Sequence, residues 1–288
     1  MRDKNTFFHQ KKTLNVRGEL IDLSVPKIMG ILNLTPDSFY DGGRNNSAKE
    51  ALKKTHSMLE EGATFIDIGA YSSRPGAEHI TEQEELQRLI PTLKALVKEF
   101  PKALISIDTF RAGIAKAAVS EGAHIINDIS AGEMDIKMFT AIAELQVPYI
   151  LMHMKGTPQT MLQEAKYEDV FMEVYQYFIE KIARLTDLGV KDLIIDPGFG
   201  FAKQPQHSYQ LLNKLDQFRL LGHPVLAGVS RKSMIYKTIG STSENALNGT
   251  TVANTIALMK GANILRVHDV RAATEAVTIV AATTQTSL

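Results

Sequence analysis

Most of this chain is built from one repeated unit, a short apolar strand followed by a helix. Short runs rich in Ile, Leu and Val alternate with longer segments of helical spacing. Strands that read as continuous apolar runs are buried on both faces, and strands that alternate with helices form a parallel sheet. We count eight such units between residues 27 and 283. They predict an α/β fold, a closed (β/α)8 TIM barrel.

An open doubly wound sheet is the alternative arrangement of the same units. No G-x-G-x-x-G follows the first strand, which weakens the dinucleotide-binding form of that fold. Residues 13–26 alternate apolar and polar types around Gly18 and predict a short N-terminal β-hairpin. Residues 1–12 are polar and are predicted to be loosely ordered. Because no linker rich in Pro, Gly or Ser interrupts the chain, we predict a single domain over residues 1–288.

Capping signals predict several helix boundaries. Ser47 and Glu50 resemble a capping box, and so do Thr81 and Glu84. Each pair therefore predicts the start of a helix. Another helix is predicted over residues 135–145 from its spacing alone.

Composition excludes several classes of partner. Lys plus Arg and Asp plus Glu number 32 each, so no global field favours nucleic acid or an anionic membrane. No apolar run approaches the roughly 20 residues of a membrane helix, and the first residues lack the apolar core of a signal peptide. The chain has no cysteine, which excludes disulfides and thiolate catalysis. We therefore expect a cytoplasmic protein without membrane or nucleic-acid partners.

Polar residues stand at the carboxyl end of nearly every predicted strand. The run Leu193–Ile195 ends at Asp196, and Pro197 cannot continue the ladder. In a (β/α)8 barrel these ends meet at one mouth, where active sites lie. Each residue alone is explained equally by a helix cap or a buried hydrogen bond, but the set predicts a functional mouth. The set comprises Asn33, Ser73, Arg74, Asp108, Asn127, His153, Asp196, Ser230, Arg231, Lys232, Arg266 and His268.

One half of the mouth suits a heterocycle. Asp108, Asn127 and Asp196 supply carboxylate and amide oxygens, and Lys232 supplies a cation. Such oxygens match a flat ring whose edge carries adjacent N–H donors.

The other half suits phosphate. Arg74, Arg266 and His268 can donate to phosphate oxygens, and the amide oxygen of Asn33 suits Mg²⁺. The alternative is that Arg266 and His268, which share one face of their strand, point at a loop carboxylate. The two halves together predict a site for a heterocycle joined to a phosphate group.

Eight short strings occur in order along the chain: GILNLTPDSFYDGG, SSRPGAE, SIDTFR, INDISAG, LMHMKGTP, DPGFGFAK, GVSRKS and LRVHDV. Together, over about residues 27–283, they resemble the dihydropteroate synthases. The resemblance implies a transferase of folate synthesis that joins 6-hydroxymethyl-7,8-dihydropterin pyrophosphate to 4-aminobenzoate. The implied products are 7,8-dihydropteroate and pyrophosphate. It also implies a requirement for Mg²⁺ and a homodimer formed through barrel helices.

The resemblance further implies roles for individual residues. The implied pterin contacts are Asp108, Asn127, Met152, Asp196, Lys232 and Arg266. The implied pyrophosphate contacts are Asn33, Arg74, Arg266 and His268. The implied 4-aminobenzoate contacts are Phe39, Ser73, Pro75, Phe201, Lys232 and Ser233. Mg²⁺ would bind Asn33 and Asp41, and the implied catalytic residues are Asp108, Lys232, Arg266 and His268.

Three positions depart from the family pattern. Tyr71 stands where the family has Glu, Ser73 where it has Thr, and Ala202 where Gly is common. Ser73 keeps the hydroxyl group, whereas Tyr71 replaces a carboxylate by a neutral phenol. Ala202 matters only if its backbone must adopt a positive φ.

Other functions are compatible with parts of this pattern. A pterin-dependent methyltransferase would share the pterin pocket but would not need the phosphate-binding half. A lyase would use Lys232 as an imine nucleophile, although an arylamine attacks without such help. A non-catalytic paralogue would bind a pterin or a protein partner without turnover.

Overall fold

The computed structural model describes residues 10–34, 44–72 and 79–285. A hairpin of strands β1 (Thr13–Val16) and β2 (Glu19–Asp22) comes first. The other strands are β3 (Lys27–Asn33), β4 (Phe65–Gly69), β5 (Leu104–Asp108), β6 (Ile125–Asp128), β7 (Tyr149–Met152), β8 (Leu193–Asp196), β9 (Leu226–Ala227) and β10 (Ile264–Val267). The helices are α1 (Arg44–Glu60), α2 (Glu82–Glu99), α3 (Ala112–Ser120), α4 (Met138–Leu145), α5 (Val170–Asp187), α6 (Pro205–Asn213), α7 (Ser233–Thr238), α8 (Leu247–Met259) and α9 (Val270–Gln285).

Strands β3 to β10 form one parallel sheet that closes into a barrel. Their order is β8-β7-β6-β5-β4-β3-β10-β9. A parallel bridge between Ile195 and Val225 joins β8 to the chain just before β9, so the two edges of the sheet meet. Helices follow each strand, and the predicted (β/α)8 barrel with an N-terminal hairpin is confirmed. Within the described ranges, no helix combines the length and apolar character needed to cross a membrane.

The hairpin covers the amino-terminal end of the barrel. Leu14, Val16 and Leu23 pack in one cluster with Met29 and Phe65, which point into the barrel. Apolar residues from β6, β7, β8, β9 and β10 complete that layer. Because apolar side chains fill this end, we expect the ligand site at the carboxyl ends of the strands.

Some predicted boundaries differ from the observed ones. Helix α1 spans Arg44–Glu60, so the start predicted at Ser47 lies three residues inside the helix. Helix α4 begins at Met138 and not at Asp135, whose carboxylate accepts from the backbone nitrogens of Lys137 and of Ala112 at the start of α3. The capping box of Thr81 and Glu84 is confirmed at the start of α2. Helix α7 was not predicted.

Residues 10–12 are anchored to the barrel, and residues 1–9 of the segment predicted to be loosely ordered lie outside the described residues. The Gln10 amide donates to the His223 carbonyl over 3.0 Å and to Asn263 Oδ1 over 2.8 Å. Lys11 Nζ donates to Asp192 Oδ1 over 2.6 Å. These long-range contacts tie the segment to the foot of the barrel, and the polar residues that suggested mobility are the groups that anchor it.

Candidate active site

Strand alternation places successive inward-facing side chains in layers. Phe65 lies in the apolar layer near the hairpin, so Asp67, two residues on, faces inward one layer higher. The same rule places Ser106 and Asp108 of β5 inside the barrel. Register links Asn33, Gly69, Asp108 and Asn127 in one row across β3 to β6. Apolar packing below therefore gives way to polar groups toward the mouth.

A network of buried charges forms the floor of this mouth. Arg266 Nε donates to Asp67 Oδ2 over 2.6 Å, and its Nη2 donates to Asp108 Oδ2 over 2.8 Å. The Asn127 amide donates to the same Asp67 oxygen over 3.0 Å. The structure thus brings together three of the predicted residues around a carboxylate that sequence analysis missed.

Asp67 was missed because it lies within a strand and not at its end. Its side chain is fully buried, and its Oδ1 has no hydrogen-bond partner among the described residues. A buried charge in an apolar strand is rarely tolerated without a partner. The aspartate inside the apolar run of β4 was therefore the available signal. Asp67 positions Arg266 and Asn127.

A third carboxylate lies near a lysine on the opposite wall. Asp196 is 5% exposed, and its Oδ1 accepts from the backbone nitrogen of Gly198 over 2.8 Å. A Cβ placed on Gly228 would lie 3.8 Å from both Asp196 Oδ2 and Lys232 Nζ, and 3.9 Å from Arg266 Cβ. These three side chains converge on one space, which Gly228 leaves open.

Burial shifts the pKa values of these groups toward neutrality. Loss of solvent raises the pKa of the Asp108 carboxyl to about 7 despite the neighbouring Arg266, and Asp67 adds to the rise. Burial also raises the pKa of Asp196, which Lys232 opposes. Burial lowers the pKa of the Lys232 ammonium to about 8, against the attraction of Asp196. Perturbed groups that share one cleft are typical of functional sites.

His268 stands at the edge of the mouth beside Ser230. The Ser230 hydroxyl accepts from the His268 backbone nitrogen over 3.2 Å and lies 3.1 Å from its Nδ1. Desolvation of the ring's packed side, followed by the Arg266 charge, lowers the pKa of His268 to about 4. The ring is neutral at pH 7, and the Ser230 hydroxyl can donate to Nδ1. The proton then sits on Nε2, which can donate to an anion.

An apolar wall borders the charged floor. Met152, Tyr71, Phe110 and Ala202 pack in one buried cluster, with the partly buried Phe201 against it. Lys232 Nζ lies 4.7 Å from the centre of the Phe201 ring. Lys232 therefore contacts both the acidic pocket and the aromatic wall, as expected for a residue shared between two subsites. Ser233 directly follows it, as the first residue of α7.

Ala202 lies in the loop after β8, at a position where the family commonly has Gly. Its φ is 47° and its side chain is fully buried, so the position does need the left-handed conformation and alanine accepts it. Lys203 holds the loop, because Nζ donates to the carbonyls of His153 and Phe201 and lies 2.9 Å from His153 Nδ1. Gly198 is required here, since a Cβ would lie 2.1 Å from the His153 carbonyl oxygen.

Tyr71 is a buried neutral group in this structure. Its hydroxyl accepts from Gln159 Nε2 over 3.1 Å and lies 3.3 Å from His79 Nδ1. Its ring packs edge-on against Phe110, beneath the Arg111 guanidinium. The phenol therefore joins the loops after β4 and β7 without a charge.

Some of the implied residues lie outside the described part of the chain. These are Phe39, Asp41, Ser73, Arg74 and Pro75. Among the described residues, no group of three or more His, Asp or Glu side chains could hold a metal ion. Asn33 ends β3 on the inward face and offers one amide oxygen. Mg²⁺ commonly binds one or two protein oxygens, keeps several waters and takes phosphate oxygens from the substrate, so Asn33 fits that role.

Comparisons with known proteins agree with this geometry. Residues 29–268 match the family described as pterin binding enzyme. The chain is 46% identical to dihydropteroate synthase of Escherichia coli K12, over 94% of this chain and 96% of the other. The chain belongs to the family of pterin-binding enzymes, which defines its class.

Solved structures show which group of pterin-binding enzymes this chain is similar to. Dihydropteroate synthase of Xanthomonas albilineans with 4-aminobenzoic acid is 39% identical and superposes with a TM-score of 0.88, covering 95% of this chain and 98% of that one. The same enzyme with 7,8-dihydropteroate is 38% identical with a TM-score of 0.84, covering 94% and 98%. Within the pterin-binding enzymes, the chain is a member of the dihydropteroate synthases.

The shifted pKa values predict a narrow pH optimum for use of the pterin substrate. Ionised Asp108 accepts N–H donors at both oxygens, whereas protonation turns one oxygen into an O–H donor and removes the charge, so kcat/KM should fall below about pH 7. Lys232 is a cation only when protonated, so kcat/KM should fall above about pH 8. In Lys232→Arg the guanidinium stays charged, and the basic limb should disappear from the residual activity. A basic limb that stays in place in that variant would assign it to another group, and full turnover would exclude a short-reach contact of Lys232.

Proposed function

We propose that this protein condenses 6-hydroxymethyl-7,8-dihydropterin pyrophosphate with 4-aminobenzoate, releasing 7,8-dihydropteroate and pyrophosphate. The observation that carries the proposal is the convergence of Asp108, Asp196, Lys232 and Arg266 inside the barrel mouth. The carboxylates match the amino and ring N–H edge of a pterin. The full-length likeness to dihydropteroate synthases supports the same reaction.

The pocket favours positive charge on the pterin. Three buried carboxylates, those of Asp67, Asp108 and Asp196, face the two cations Arg266 and Lys232. We propose that the bond between the pterin methylene carbon and the pyrophosphate oxygen breaks first, with its electron pair leaving on the oxygen. The carbocation is delocalised into the ring, and the surplus of carboxylates stabilises it electrostatically.

The amine then completes the reaction. The neutral nitrogen of 4-aminobenzoate attacks the methylene carbon and afterwards loses one proton. An arylamine is unprotonated near pH 7, so no strong protein base is needed. Phe201 and the Lys232 cation border the side from which the amine would approach, and Met152 lies in the same apolar wall. Lys232 thus serves as a binding cation and not as an imine nucleophile.

The leaving group calls for positive charge and hydrogen-bond donors. We propose that His268 donates through Nε2 and that Arg266 uses the remaining N–H groups of its guanidinium, with Arg74 as a further contact. Asn33 and Asp41 would hold Mg²⁺ together with pyrophosphate oxygens. The ion, when bound, would neutralise charge on the departing pyrophosphate.

We also propose that the chain forms a homodimer through its last helices. Val252, Ile256 and Met259 of α8 and Ile279 of α9 are exposed large apolar side chains. A groove of about 910 Å³ runs between these helices. Burying such side chains against a second copy would remove apolar surface from water. Light scattering should give the mass of two chains, and the mass of one would contradict the proposal.

The cytoplasmic location stays a prediction.

The decisive experiment follows both products at once. Purified protein is mixed with Mg²⁺, the dihydropterin pyrophosphate and 4-aminobenzoate, and pyrophosphate and dihydropteroate are measured together. We expect equal amounts of each, and release that depends on the amine. Pterin binding without release would instead favour the non-catalytic paralogue. In that case Tyr71→Glu, which restores the family residue, is the first variant to make.

A further inference from the structure

The turn that carries Lys232 has a backbone conformation that its sequence does not favour. The Lys232 backbone nitrogen donates to the Val229 carbonyl over 3.2 Å and closes a turn over residues 229–232. Arg231, the third residue of this turn, has a φ of 54°. That region disfavours residues with a Cβ, and glycine or asparagine normally occupies such a position. The turn therefore needs a compensating interaction.

The Arg231 side chain supplies one. Its Nε and Nη2 donate to the two carboxylate oxygens of Asp269 over 2.8 and 2.7 Å. Its Nη1 donates to the carbonyls of Ser243 and Glu244 over 2.9 and 2.6 Å. A planar guanidinium with four such bonds fixes both the position and the direction of the residue that bears it.

The backbone of Arg231 is held as well. Its nitrogen donates to the hydroxyl of Thr250, a buried residue of α8, over 3.0 Å. Its carbonyl accepts from the Ser243 hydroxyl over 3.4 Å. All of these partners lie outside the turn, so the surrounding structure imposes the left-handed conformation.

The neighbours of this anchor carry the chemistry of the mouth. Ser230 precedes Arg231 and contacts the His268 ring, while Lys232 follows it and donates to the Phe199 carbonyl. Asp269 directly follows His268 in the chain. One ion pair therefore ties the turn after β9 to the end of β10, next to both functional side chains.

We propose that Arg231 is a positioning residue whose guanidinium holds the left-handed turn that presents Ser230 and Lys232 to the mouth. It touches neither substrate in this assignment and acts through its two neighbours. The inference deepens the proposed function and rests on it. It predicts that the conformational preference of residue 231, and not only its charge, determines activity.

Glycine and alanine at position 231 separate these effects. Both Arg231→Gly and Arg231→Ala remove every guanidinium contact, but only glycine adopts a positive φ without strain. We expect kcat/KM for the pterin substrate to fall roughly 30-fold in Arg231→Ala and less than about fivefold in Arg231→Gly, the ratio expected from the cost of the left-handed region. Equal kcat/KM in the two variants, or wild-type kcat/KM in both, would overturn the proposal.

Arg17 provides a matched control at the opposite end of the barrel. It is an arginine with a φ of 52°, and it lies in the hairpin between β1 and β2. Arg17→Gly should have a higher Tm than Arg17→Ala, because only glycine adopts a positive φ without strain. The kcat/KM of both Arg17 variants should match that of the wild type. A general loss of stability at a left-handed position would then not explain a difference in kcat/KM between the two variants at 231.

Asp269→Asn tests the anchor without a change in the turn residue. It should lower kcat/KM about threefold to tenfold in the wild-type background and less than twofold in Arg231→Gly, because no guanidinium remains there to hold. An equal loss in both backgrounds would contradict the anchoring role. This double-mutant cycle does not use Arg231→Ala, so it still tests the proposal if that variant does not fold.

A measurement of pterin binding without turnover tests the role of Arg231 separately from the proposed reaction. Calorimetry with the dihydropterin pyrophosphate in the absence of amine measures the pocket without turnover. If the wild type binds the pterin but releases no product, the proposed reaction fails. The same affinity order, with Arg231→Gly tighter than Arg231→Ala, would still support the positioning role, and the reverse order would overturn it.

Discussion

Replacing Arg266 by methionine is expected to lower the free energy of unfolding by about 3–5 kcal/mol, the usual cost of leaving buried charges without their partner. Asp67 is fully buried and Asp108 is 14% exposed in its side chain, and Arg266 holds both. Methionine fills a similar volume, so the loss of charge and not a cavity accounts for the effect. Denaturant unfolding followed by circular dichroism measures it.

The loss should depend on pH in a defined direction. Burial raises the pKa of Asp108 to about 7 in the folded protein, so the folded state holds a proton that the unfolded chain releases above pH 4. The contribution of Asp108 to the free energy of unfolding therefore falls as the pH rises from 4 toward 7. Without Arg266 the pKa of Asp108 rises further, so the pH range over which stability is lost extends to higher pH. The variant should thus be more destabilised at pH 8 than at pH 6.

Arg271→Met is the matched control for this prediction. Arg271 pairs with Glu275 one turn along α9, and both side chains are largely exposed, at 82% and 69%. An exposed pair contributes little, so the free energy of unfolding should be nearly unchanged at either pH. If Arg266→Met were as mild as this control, the charged floor would not be a stabilising unit.

Asp196→Asn is expected to weaken pterin binding by about 1.5–3 kcal/mol, which is roughly a 10- to 150-fold rise in Kd. The carboxylate is buried beside Lys232 and would accept N–H groups from the ring edge. Asparagine presents an N–H group where the carboxylate presented an oxygen, so one contact becomes repulsive. Its remaining oxygen can still accept from the Gly198 nitrogen, so the loop after β8 should keep its conformation.

Isothermal titration calorimetry with the dihydropterin pyrophosphate measures this change directly. Asp216→Asn is the control, because Asp216 is an exposed aspartate that lies 3.8 Å from Lys260 and is not one of the mouth residues. Its Kd should equal that of the wild type. Unchanged affinity in Asp196→Asn would remove Asp196 from the pterin pocket and with it the main support for the assignment of that wall.

Two local rules allowed much of the site to be predicted. Short apolar runs that alternate with helices predict parallel strands, and the carboxyl ends of such strands meet at one mouth. Asp108 and Asp196 stand at those ends in the sequence and at the mouth in the structure. Strand period and turn-forming residues are properties of a few neighbouring positions, so the sequence alone reveals them.

Helix boundaries were less predictable, because competing partners lie elsewhere in the chain. The capping box at Thr81 is satisfied within four residues and was predicted correctly. The Asp135 carboxylate accepts from the backbone nitrogen of Lys137 and also from that of Ala112, 23 residues earlier at the start of α3, and α4 begins only at Met138. A local pattern does not reveal a partner that is so distant in the chain.

The eightfold order of strands and helices and the polar character of the strand ends could be predicted from local periodicity. The pairing of the buried charges could not, because it depends on contacts between distant parts of the chain. The contact of Arg266 with Asp67 joins residues 199 positions apart, and that of Arg231 with Asp269 spans 38. Strand pairing in the barrel sets such contacts. The pairing of β10 with β3 brings Arg266 to Asp67 of the next strand, and the pairing of β9 with β10 brings Arg231 to Asp269. The left-handed conformations of Ala202 and Arg231 have the same origin, since the surrounding contacts outweigh their local preference.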